Sequence, residues 1–101
     1  MFSFVEDSRD FNTCHFTAKG RINIIHAGYM QQQLEKCIEL GRINIVINMC
    51  LVTFLSSSGI RTVLDIFKKT KALGGKLSIE RPSENVVNVL GMVALDEMLL
   101  K

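Results

Sequence analysis

No stretch of this chain is apolar for long enough to span a bilayer, which argues against direct membrane insertion. Met1 to Asp10 lacks both the basic start and the apolar core of a signal peptide, so the expected compartment is the cytoplasm. There is no Cys-x-x-Cys and no Cys/His ligand pair, and no metal site is expected. His15 and His26 stand far apart. The phosphate-loop pattern ending in Gly-Lys-Ser/Thr is missing, and so is the nucleophile-elbow pattern Gly-x-Ser-x-Gly. Neither histidine has an evident carboxylate partner to complete a triad with a serine. No catalytic residue and no cofactor are expected, and enzymatic chemistry is set aside. A net charge of +2 is too small to indicate nucleic acid. Lys68, Lys69, Lys71 and Lys76 cluster, but no aromatics are interleaved with them to stack bases. They read as the solvated face of a helix.

The chain has what a globular fold needs. Its 101 residues are 48% hydrophobic and 22% charged, the balance of one ordered domain, here taken as 1–101. Folding at this size hides roughly two thirds of the unfolded surface. Cys14, Cys37 and Cys50 each have apolar neighbours and read as small buried hydrophobes in a reducing compartment.

Hydrophobic spacing gives the elements. Phe2, Phe4 and Val5 predict a strand over Met1 to Glu6, and Asp7-Ser8-Arg9-Asp10 predicts a turn. Cys14 to Ala18 alternates weakly and ends at Gly20, which suits an antiparallel partner. Arg21 to Ile25 reads as a strand end or loop. Ala27, Met30, Leu34, Cys37 and Ile38 recur at helical spacing, with Gly41 placed for a left-handed cap. The β-branched run Ile43 to Ile47 predicts a strand covered on both faces. A second helix runs from Ser57 or Ser58 to Leu73, closed by Gly74-Gly75. Lys76 to Glu80 is a short strand, and Pro82-Ser83 opens a third helix ending near Gly91. Met92 to Leu100 is apolar and has no assigned type. The expected fold class is α/β (α+β): a small mixed β-sheet with an N-terminal antiparallel pair and helices packed against it.

Ser56-Ser57-Ser58-Gly59 is the stretch richest in chemical options. It lies where a strand hands over to a helix N-terminus, where backbone N–H groups lack partners and negative charge is welcome. A serine there can cap the helix, hold an anion or accept a phosphate.

From Ile45 to Gly59 the sequence resembles, without gaps, the signature of STAS domains, the anti-sigma-factor antagonists and their relatives. That signature is an apolar strand ending in Asp, a Thr-Phe segment, then Asp-Ser-Ser-Gly. Gly20-Arg21-Ile22-Asn23 resembles the family's Gly-x-Leu-Asp, and Gly74-Gly75-Lys76-Leu77 its Gly-Gly-x-Leu. Val86, Val89-Leu90 and Leu95-Asp96 resemble its last helix and closing turn. The resemblance implies a non-enzymatic STAS-type binding domain. Its implied partners are a serine-kinase anti-sigma factor and a serine phosphatase. The implied phosphoacceptor is Ser57, and phosphorylation there would end the interaction. Asn23, Ser56, Ser58 and Gly59 would form the partner-binding surface around it. The departures are consistent: Asn23, Asn48 and Ser56 each replace a family Asp. Rival readings are a STAS subunit of a membrane transporter complex, a small-ligand or nucleotide sensor using the Ser56 to Gly59 turn, and a hydrolase using Ser57.

Overall fold

The structure is a computed structural model that describes residues 1–10, 12–93, 95 and 99. Its elements follow as β1 (Ser3–Arg9), β2 (Thr13–Ile22), α1 (Ile24–Glu39), β3 (Asn44–Leu55), α2 (Ser57–Ala72), β4 (Lys76–Glu80) and α3 (Glu84–Met92). The four strands lie side by side as β1-β2-β3-β4. The β1–β2 pair is antiparallel, and β2–β3 and β3–β4 are parallel. This is the mixed sheet that the order of apolar runs predicts.

β1 is longer than its apolar start. The expected turn over Asp7 to Asp10 is mostly strand, since Ser8 pairs with His15 and Arg9 with Cys14. A bulge between Glu6 and Ser8 takes up the shift, and Thr17 donates a hydrogen bond to the Asp7 carboxylate. β1 is an edge strand, and edges tolerate charge and bulges because one side faces water.

β2 runs on through Arg21 and Ile22, so of the two readings of Arg21 to Ile25 these two residues are a strand end. α1 begins at once, because the Asn23 side chain accepts from the His26 N–H at 2.9 Å and caps it. Ala27, Met30, Leu34 and Cys37 form its buried stripe. The helix stops at Gly41, whose φ of 81° suits a residue without Cβ. Arg42 N–H then reaches back to the Cys37 carbonyl at 2.9 Å.

β3 is a strand of 12 residues that runs past the predicted Ile43 to Ile47 as far as Leu55. Its first half alternates, with Ile45, Ile47 and Met49 buried and Val46 only half-buried, so one face rather than both is fully covered. β4 pairs with β3 only as far as Asn48↔Glu80. Beyond that pair alternation fails, and Cys50 and Leu51 are exposed. Cys50 is therefore not the buried hydrophobe its neighbours implied. Cys14 and Cys37 are buried as expected.

The core is one cluster between the sheet and the helices, built on Phe16, Ile22, Met30, Ile47, Ile66 and Leu90. Lys69 closes the outside of the α1–α2 pair, with Nζ 2.6 Å from Glu35 and 3.2 Å from Asp65. Most of the segment Met92 to Leu100, and Asp96 with it, lies outside the described residues.

Candidate partner-binding surface

The parallel β2–β3 ladder ends with Ile22 opposite Leu55. The next residues are Asn23 and Ser56. Each leaves the sheet in extended backbone and caps a helix: Asn23 has φ −89° and ψ −171°, and Ser56 has φ −73° and ψ 167°. A hydrogen bond from Ser56 N–H to the Ile22 carbonyl, 3.0 Å, holds the two exits together. The starts of α1 and α2 therefore share one end of the sheet. Neither helix has an acidic residue in its first turn.

Within the serine run the three hydroxyls are not interchangeable. Ser56 is the cap: its Oγ accepts from Gly59 N–H at 3.1 Å, and its carbonyl accepts from Ile60 N–H at 3.0 Å. Ser57 is the first helical residue and is exposed, and its hydroxyl has no hydrogen-bond partner among the described residues. Ser58 is half-buried. Gly59 is buried against the strand ends; a Cβ there would lie 2.7 Å from Leu55 Cδ1 and 3.1 Å from Ile22 Cγ2. Its contribution is to let α2 start close to the sheet.

The three positions where the family pattern carries Asp all hold a backbone N–H. Asn23 takes that of His26, Asn48 that of Cys50 at 2.9 Å, and Ser56 that of Gly59. The neutral side chains keep the hydrogen bond and drop the charge. The surface is left with positive helix ends and the nearby Arg21 guanidinium, which lies 4.5 Å from the Phe54 ring centroid.

Several residues here were not singled out from sequence. Arg21 and Phe54 are cross-strand partners, and Phe54 is exposed. Ile24 and Ile25, expected in a strand end or loop, are 71% and 77% exposed on the first turn of α1. An apolar pair breaking the amphipathic pattern of α1 was the available signal. A groove of about 480 Å3 lies between the start of β1 and α1, walled by Phe2, Val5, Ile25, His26 and Tyr29. Phe2 stacks on His26 with ring centroids 4.1 Å apart. None of Ser56 to Gly59 lines that groove.

A second cluster lies elsewhere. Donor atoms of Glu6, Cys14 and Cys37 all come within 4.8 Å of one another. Arg9 holds both Glu6 oxygens, at 2.6 and 3.0 Å, and keeps that carboxyl below its ordinary range. Burial, then hydrogen bonding with Cys37 and Glu6, pushes the Cys14 thiol up, so it is neutral.

Comparison with known proteins fits this geometry. The STAS domain model matches residues 5–101, and the chain belongs to that family. The fold is that of the anti-sigma factor antagonist SpoIIAA in its unphosphorylated form, with a TM-score of 0.82 and 21% identity over 98% of this chain and 85% of that one. The phosphorylated form of the Bacillus cell fate determinant SpoIIAA gives 0.76 and 20%, covering 98% and 88%. An anti-sigma factor antagonist from Mycobacterium paratuberculosis gives 0.77 and 19%, covering 99% and 85%. No curated protein matches the chain. Among the described residues no helix is long and apolar enough to cross a membrane.

Proposed function

We propose that the chain is an anti-sigma-factor antagonist acting as a single, non-enzymatic cytoplasmic domain. Its partner is a serine-kinase anti-sigma factor, which binds the surface formed by Asn23, Ser56, Ser58 and the exposed side chains beside them. Gly59 supports that surface from beneath. The kinase transfers the γ-phosphoryl group of ATP to Ser57 Oγ, and the modified protein leaves the partner. A serine phosphatase restores the free hydroxyl.

One observation carries this reading. Ser57 alone of the three serines is exposed, while Ser56 is committed to its cap and Ser58 is half-buried. A phosphate there carries roughly −1.5 to −2 charge at neutral pH. It would sit on a helix N-terminus with roughly +0.5 of partial charge, so the fold tolerates it. In a packed interface the same dianion must be desolvated, so the effect falls on binding.

The test is incubation with the cognate kinase and ATP, followed by mass spectrometry. The expected result is one phosphate on Ser57, absent in Ser57→Ala and retained in Ser58→Ala. A phosphate that persists in Ser57→Ala contradicts the assignment.

A further inference from the structure

The Glu6, Cys14 and Cys37 cluster has no part in the surface around Ser57. Its donors come from β1, β2 and α1, so the folded chain, not a local motif, brings them together. Both cysteines are buried, while Glu6 is half-buried and leaves a way in from solvent.

We infer that Glu6, Cys14 and Cys37 form a binding site for a zinc-class divalent ion, which clamps the β1–β2 hairpin to α1. Four-coordinate zinc binds sulfur at about 2.3 Å and carboxylate oxygen at about 2.0–2.2 Å, which spaces its donors roughly 3.5–3.8 Å apart. The donors here already lie within 4.8 Å of each other, so rotamer adjustment rather than refolding closes the site. The two cysteine thiols release their protons to solvent as they coordinate, and the fourth position is left to water.

The surrounding charge fits that ion. Two thiolates and one carboxylate outweigh a divalent cation by one negative charge. Arg9 grips Glu6 from outside, as outer partners of metal-bound carboxylates commonly do. The charge of Arg42 acts on both Glu6 and Cys37, and its buried Nε has no hydrogen-bond partner among the described residues. Both guanidiniums can therefore balance the loaded site. The alternative for two facing thiols is a disulfide, which leaves Glu6 without a role.

The experiment uses the reduced chain under argon, titrated with Cd2+ and read by thiolate-to-cadmium absorption, and with Zn2+ read by melting temperature. One equivalent of Cd2+ is expected to saturate the band in the wild type and in Cys50→Ser. The band is expected to vanish in Cys37→Ser. Glu6→Gln is nearly isosteric at a half-buried position and is expected to keep the fold, weaken Cd2+ binding at least about tenfold and remove most of the Zn2+ shift in melting temperature. Absence of the band, its loss in Cys50→Ser, its survival in Cys37→Ser, or equal Zn2+ shifts in the wild type and Glu6→Gln would each overturn the site.

Discussion

Ser56 donates its backbone N–H to the carbonyl of Ile22 across 3.0 Å, and this bond places the caps of α1 and α2 side by side. It is the last tie of the parallel β2–β3 pair before both chains turn into helices. The candidate surface follows from it, because everything exposed there belongs to one of those two helix starts or to the strand ends beneath them.

The caps are testable as caps. Asn23→Ala and Ser56→Ala should each lower unfolding free energy by about 1 kcal/mol, the usual cost of an unfilled N-cap. Asn23→Asp and Ser56→Asp should leave it unchanged or raise it by a few tenths of a kcal/mol, because a carboxylate keeps the bond and favours the helix end. Urea unfolding of the four variants measures this. Ser57→Ala, which removes an unbonded hydroxyl, should stay within about 0.5 kcal/mol of the wild type.

Close approach separates two glycines. A Cβ on Gly75 would lie 2.1 Å from the Ile43 carbonyl oxygen, the same oxygen that accepts from Lys76 N–H at 3.0 Å at the start of β4. Gly75→Ala must move backbone and should cost about 2 kcal/mol or more. Gly59→Ala meets side-chain carbons of Leu55 and Ile22 instead and regains about 1 kcal/mol of helix propensity. Its loss, read from denaturant midpoints, should be the smaller of the two.

The Glu35, Asp65 and Lys69 group predicts a pH and salt dependence. Lys69, then Gln31, holds Glu35 below its ordinary 4.5, and Gln31, then Lys69, holds Asp65 below 3.8. Their contribution is complete above those values and is lost as pH falls through the lower folded ones. Lys69 is raised above 10.5 by Glu35 and then Asp65, so its share is complete below 10.5 and lost as pH rises through the folded value. These side chains are 39–45% exposed, so each pair contributes only about 0.2–1 kcal/mol before salt screening. Lys69→Met should be less stable than the wild type near neutral pH. The difference should shrink below about pH 4 and in 1 M salt.

The element order, the three helices and the parallel half of the sheet were legible because apolar periodicity and glycine stops coincide along the chain. Charge hid the far end of β1: Asp7 to Asp10 looks like a turn, but Asp7 to Arg9 is a tolerated edge. The strand read over Ile43 to Ile47 falls short of Leu55 because β3 outruns β4 and continues on β2 alone. The same overhang exposes Cys50. The serine run was visible and the resemblance picked out Ser57, but which hydroxyl caps α2 was not legible, since that is set by the cap geometry of Ser56. The meeting of Glu6, Cys14 and Cys37 has no sequence signature, because its spacing is set by β1–β2 register and the docking of α1.

The most direct test of the Ser57 switch is calorimetric titration of the purified serine-kinase anti-sigma factor with two forms of this protein, unmodified and carrying phosphate on Ser57. The account predicts tight binding by the unmodified form and at least tenfold weaker binding, about 1.4 kcal/mol, by the phosphorylated one. Equal affinity of the two forms would contradict it.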